Sequence, residues 1–211
     1  ATNGGAVYMG MTKIPSKTTS VTAIFNMTGG VIQNCNATGN GGAVYVDASK
    51  LTISGNVEFA GNTAVYYGGA IAAFEKTDSQ TQVNTPCVIT VNDATFSGNS
   101  GASGGAVYVS GSEYTITKTG FTNNTATNEN YGGGAIYNTG ATGKLESITF
   151  AHTDLTPEAF AEIAEAYPQI AMDYTVELLG QTLTADAVEL DLSAMTSEDV
   201  DAVIGKLPQL P

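Results

Sequence analysis

Apolar and polar positions alternate in short bursts along the first 150 residues, and Gly, Asn and Ser separate the bursts. Ala43–Val46, Leu51–Ser54 and Val57–Phe59 make one set; Ala106–Val109 and Tyr114–Thr117 belong to another. Runs this short, rich in β-branched residues and bounded by turn formers, are strands and not helices. The bursts return in a fixed order. Gly-Gly-Ala followed by Val or Ile starts at Gly4, Gly41, Gly68, Gly104 and Gly133, with spacings of 37, 27, 36 and 29 residues. A second signature, Phe-x-x-Asn, recurs as Phe59/Asn62, Phe96/Asn99 and Phe121/Asn124, with Ile32/Cys35 and Phe150/Thr153 as imperfect copies. Periods in this range mark a solenoid, in which no single repeat can bury its apolar face alone. Three short strands in a turn of about 27 residues predict an all-β solenoid, a parallel β-helix of about five turns stacked roughly 4.8 Å apart.

Each signature has a structural role in such a coil. The Phe points inward and stacks on the next Phe, and the Asn marks a bend where its amide bonds to backbone or to the next Asn. The Gly pair permits positive φ and a close corner that a side chain would block. After Gly-Gly-Ala-Val/Ile comes Tyr8, Tyr45, Ala72, Tyr108 or Tyr137. With Val7, Val44, Ile71, Val107 and Ile136 pointing inward, alternation sets this column outside. Tyr8, Tyr45, Tyr108 and Tyr137 are therefore the candidate binding residues, either as a contact surface or as a shield over the strand ladder. The two long turns carry their surplus between Gly-Gly-Ala and Phe, within Met11–Thr28 and Glu75–Thr85. These stretches are expected to protrude as loops from one side, where solenoids often bind partners.

Beyond Phe150 the pattern changes. Thr156 and Pro157 read as a helix start, and Phe160, Ile163, Ala164 and Tyr167 form one apolar stripe. Forty residues on, Thr196 caps a second helix with Val200, Val203, Ile204 and Leu207 as its stripe. The expectation is helices over Pro157–Tyr167 and Ser197–Lys206. Between them Ile170, Met172, Tyr174, Val176 and Leu178 alternate as a half-buried strand, with a tight turn at Gly180-Gln181 towards Leu183. Residues 151–211 are thus read as a small α/β cap on the β-helix of residues 1–150, covering strand edges that would otherwise lie open.

Composition sharpens that boundary. All 15 Asn and 23 of the 25 Gly precede residue 151. The first part carries a net charge of −2 and the last 61 residues −11, with Arg absent from the whole chain. A net −13 without a basic patch argues against nucleic acid or an anionic membrane as partner. No apolar run is long enough for a membrane-spanning helix. The chain opens inside a repeat and is read as a piece of a longer protein. Cys35 and Cys87 occupy different slots in non-adjacent turns, so both are read as small buried residues and not as a disulfide. His152 has no second ligand beside it, and neither a metal nor a cofactor is expected.

The paired Gly-Gly-Ala-[Ile/Val] and Phe-x-x-Asn signatures resemble the passenger-domain repeats of chlamydial polymorphic outer membrane proteins and related bacterial adhesins. That resemblance covers about residues 1–150. It implies a right-handed parallel β-helix, outside the cell or on a bacterial surface, that binds a host protein or glycan. The segment Val188-Glu-Leu-Asp-Leu192, followed by a helix and Leu207-Pro208, resembles leucine-rich-repeat regions of Gram-positive surface proteins. An enzyme cleaving acidic polysaccharides is the main alternative. It would need paired carboxylates at a cleft, yet Asp47, Glu58, Asp93 and Glu113 share no slot of the repeat. An ice-binding solenoid would need matched Thr-x-Thr in neighbouring turns, which Thr115-Ile-Thr117 lacks. A non-catalytic adhesin-like surface module is the expected function.

Overall fold

The computed structural model describes residues 1–13, 20–78, 82–128, 132–151, 175–178 and 181–184. Three parallel sheets stack along residues 1–151, an arrangement consistent with a parallel β-helix. A tyrosine sheet pairs Val7–Gly10, Val44–Asp47, Ile71–Phe74, Val107–Ser110 and Ile136–Thr139 in that order. A long sheet pairs Ile24–Gln33, Lys50–Ala60, Val88–Ser97, Glu113–Thr122 and Thr142–Ala151. A narrow bend sheet holds the two-residue strands Asn36–Ala37, Thr63–Ala64, Ser100–Gly101 and Thr125–Ala126.

The three strands of each turn differ from those read off the sequence. Leu51–Ser54 and Val57–Phe59 are two halves of one strand, and the third strand lies beyond the Asn. Left-handed residues join the halves: Asn56 at φ 58°, Asp93 at 59°, Lys118 at 48° and Ser147 at 55°. Each bends its strand without breaking the ladder, and between Lys50–Ala60 and Val88–Ser97 the bend is a bulge with a one-residue register shift; Ile89, Val91, Ala94 and Phe96 all still face inward.

The Phe residues form the expected internal stack. Phe59 and Phe96 have ring centroids 4.8 Å apart at 5°, and Phe96 and Phe121 5.0 Å apart at 8°. All three are buried, with Ile53, Val91 and Ile116 lining the neighbouring column. Within the Gly pair the labour is divided. Gly68 takes φ 63°, while a Cβ at Gly69 would collide with the Gly105 carbonyl and the Ser100 backbone of the next turn.

Three residues after each Phe, the Asn side chains link turn to turn. Asn99 Nδ2 donates to the Phe59 carbonyl and to Asn124 Oδ1, both at 2.9 Å. Its Oδ1 accepts from the backbone N–H and the Nδ2 of Asn62, both at 3.0 Å. Asn62 and Asn124 repeat the pattern to the Ile32 and Phe96 carbonyls. The ladder stops at Cys35, whose backbone N–H donates to Asn62 Oδ1 at 3.0 Å but whose thiol cannot supply the amide. Cys35→Asn is expected to add a rung and raise the unfolding free energy by about 0.5–1.5 kcal/mol, one net hydrogen bond, in urea titration. No gain would mean that an Asn at this slot does not reach Asn62.

The corner between the tyrosine and long sheets carries a second ladder that the sequence reading missed. Ser49 Oγ donates to the Asp47 carbonyl and accepts from Ala23 N–H; Ser112 Oγ donates to the Ser110 carbonyl and accepts from Cys87 N–H. Cys87 sits between them in the column and donates its thiol to the Phe74 carbonyl at 3.0 Å. Both cysteines are free thiols, Cys87 buried as expected and Cys35 half-buried.

Thr175–Leu178 pairs antiparallel with Gln181–Thr184; the rest of the expected strand, from Ile170 on, and Gly180 lie outside the described residues. The expected helices over Pro157–Tyr167 and Ser197–Lys206, and His152, lie outside the described residues. Among the described residues no helix is long and apolar enough to cross a membrane.

Candidate functional site

Register on the tyrosine sheet sets Tyr8, Tyr45, Ala72, Tyr108 and Tyr137 in one column. Their neighbours Val44, Ile71 and Val107 are fully buried, so the column faces outward. The rings stack along the coil axis: Tyr8 on Tyr45 at 5.2 Å, and Tyr108 on Tyr137 at 5.5 Å. Ala72 would leave a gap, and Phe74, two residues on and on the same face, fills it. Its ring lies 5.6 Å from Tyr45 and 5.2 Å from Tyr108. Stacking covers ring faces and presents edges and hydroxyls to solvent. The four candidates are consequently unequal, with Tyr8 60% exposed, Tyr45 and Tyr137 half-buried, and Tyr108 only 7% exposed.

Tyr108 is covered from the side by Tyr67, whose ring stacks on it at 4.4 Å. Tyr67 belongs to Val65-Tyr66-Tyr67, the connection leading into the Gly68 corner. Val65, Tyr66 and Tyr67 are 54%, 56% and 37% exposed, the most apolar protruding segment of the described surface. A signal for it was present: the residue before the Gly pair is Asn3, Asn40, Ser103 or Gly132 in other turns and Tyr67 here.

Both insertions leave the opposite margin of the same sheet, at one corner. They are antiparallel ribbons, Thr12–Lys13 with Ser20–Val21 and Lys76–Thr77 with Asn84–Thr85, two turns or about 10 Å apart. Ile24 to Thr28 belongs to the long sheet, so the first insertion is shorter than the Met11–Thr28 stretch suggested. The other turns pass this corner tightly through Ala48 at φ 46°, Gly111 at 54° and Gly140 at 62°. Lys76 holds the second ribbon to the neighbouring turn, with Nζ 2.8 Å from Asp47 Oδ2. That hydrogen bond raises the Lys76 pKa. Burial, then the Asp47 charge and Tyr8, push the Tyr45 phenol up to about 12.

Asp47 is committed to Lys76, and Glu58, Asp93 and Glu113 stand in three different columns of the long sheet. Burial raises the Cys87 thiol pKa, which keeps it protonated and unreactive. Among the described residues no three His, Cys, Asp or Glu side chains converge on a possible metal site.

The path from the bulge through the Phe stack and Asn rung to the tyrosine strand is also where a family comparison finds similarity. Residues 56–73, 93–110 and 121–139 match the Chlamydia polymorphic membrane protein repeat. Three stretches of the chain are thus similar to this repeat. The matched stretches hold Phe59, Phe96 and Phe121, their Asn partners, Tyr108, Tyr137 and Val65-Tyr66-Tyr67, while Tyr8 and Tyr45 lie outside them. Nothing supports the leucine-rich-repeat resemblance of the C-terminal segment. No curated protein and no solved structure matches the chain.

Proposed function

We propose that this chain is a non-catalytic, adhesin-like display module of a bacterial surface or secreted protein, binding a host protein or glycan. Its architecture is then a right-handed β-helix over residues 1–150 with an α/β cap over 151–211. One observation carries the reading. The length irregularities of the repeat and its aromatic irregularity flank one sheet, the ribbons on one margin and Val65–Tyr67 on the other. Tyr8 and Tyr66 are the most exposed tyrosines among the described residues, so contact is assigned to them and to the second ribbon. Tyr45, Tyr108 and Tyr137 mainly support that face.

The test is a screen of the purified chain against host-protein and glycan arrays, followed by affinity measurement on any hit. Tyr8→Ala/Tyr66→Ala is expected to weaken binding at least about tenfold, the loss of roughly 1.4 kcal/mol. Replacing Lys76–Thr85 by a tight corner should do the same. Binding that survives both changes would move the site off this face. Release of reducing or unsaturated ends from any polysaccharide would overturn the non-catalytic assignment.

A further inference from the structure

The tyrosine sheet also holds phenol against phenol in fixed pairs. The Tyr67 and Tyr108 ring centroids are 4.4 Å apart at 25°, and those of Tyr8 and Tyr45 are 5.2 Å apart at 14°. In each pair one ring is open to solvent, Tyr67 at 37% and Tyr8 at 60% exposure. Parallel register sets Tyr8 opposite Tyr45, whereas Tyr67 reaches Tyr108 from the connection before Gly68 and lies closer to it than the register partner Tyr137, at 4.4 Å against 5.5 Å. We infer that this ladder is a site of oxidative tyrosine cross-linking, joining Tyr8 to Tyr45 and Tyr67 to Tyr108.

The oxidant is hydrogen peroxide acting through a haem peroxidase, which meets the exposed ring of each pair. It removes one electron and the phenolic proton, and the resulting radical spreads to the ring carbons beside the oxygen. Contact between the rings lets the radical pass to the covered partner, after which the exposed ring is oxidised again. The two rings then join by a carbon–carbon bond between those carbons. The hydrogens at the new bond move to the oxygens and restore both phenols. Each bond thus costs the protein two hydrogen atoms, which reduce one peroxide to two waters. The links would close loops of 37 and 41 residues across successive turns. Like a disulfide, each would restrict the unfolded chain and not the folded one.

The experiment uses the full purified chain with Cys35 alkylated, treated with hydrogen peroxide and a haem peroxidase. Readouts are dityrosine fluorescence, intact mass and peptide mapping of the monomer fraction. The expected result is a monomer lighter by two hydrogens per bond, with Tyr8–Tyr45 and Tyr67–Tyr108 peptides linked and a raised thermal midpoint. Oxidation at Met or Cys adds oxygen and is separated by mass. Tyr8→Phe/Tyr67→Phe keeps the stacked rings and should lose most of the monomer fluorescence. Dityrosine confined to covalent dimers, links between other tyrosines, or fluorescence unchanged in that variant would each overturn the assignment. So would the absence of dityrosine from the treated wild-type chain.

Discussion

Phe96→Ala is expected to lower the unfolding free energy by about 3–5 kcal/mol, the range for truncating a fully buried Phe. Phe96 is the middle ring of the stack, touching Phe59 on one side and Phe121 on the other. Removing it deletes two aromatic contacts and leaves a void. The void cannot close, because strands on both sides hold the Val88–Ser97 strand in register at the hydrogen-bonding distance. A solenoid is stable through contacts between neighbouring repeats, so a weakened middle repeat also uncouples the ends. Urea titration should show a lower midpoint and a broader transition than wild type. A loss below about 1 kcal/mol would mean that the turns are not held by this column.

Asn99→Asp is expected to cost about as much at neutral pH, on the order of 3–5 kcal/mol, for a different reason: it leaves an uncompensated buried charge. Asn99 is fully buried, and its Nδ2 points at the Phe59 carbonyl and at Asn124 Oδ1. A carboxylate would set an anionic oxygen against two acceptors. Protonation converts one oxygen into a donor and restores one of the two bonds, so the folded-state pKa of the introduced carboxyl lies above its unfolded value of about 3.9. The folded variant then binds more protons than the unfolded chain. Its deficit relative to wild type should be smallest below about pH 4, grow as pH rises to the folded pKa, and level off above it. Urea titrations at acid and neutral pH check this directly. An equal deficit at both would mean that the side chain is not enclosed in an amide ladder.

These two residues belong to the most legible part of the chain, and the reason is physical. Phe59, Phe96 and Phe121, like Asn62, Asn99 and Asn124, each interact with their own equivalents one turn away. An interaction between equivalents repeats along the sequence and can be seen there. What stayed hidden are contacts between non-equivalents. Phe74 fills the gap left by Ala72, and Tyr67 crosses from a connection to cover Tyr108. Neither has a counterpart in the other turns. Strand boundaries were misplaced for a related reason. Gly55-Asn56 reads as a corner, yet a positive-φ residue inside a paired strand makes only a bulge when both flanks keep their partners. The Ser49–Cys87–Ser112 column escaped notice because chemically different residues fill one slot, and only the register aligns them.

The corner after the tyrosine sheet has a consequence for how such a protein can change. Successive turns pass the same point either through a single left-handed residue, at Ala48, Gly111 or Gly140, or through a ribbon of about ten residues. The flanking strands stay in register through both, as the pairing of Ile71–Phe74 with its tight-cornered neighbours Val44–Asp47 and Val107–Ser110 shows. Length at this point is therefore decoupled from the packing of the coil. A ribbon here can be lengthened, shortened or exchanged while the stacked interior stays unaltered. For the engineer, Gly111 is a ready splice point for grafting foreign epitopes onto a rigid rod.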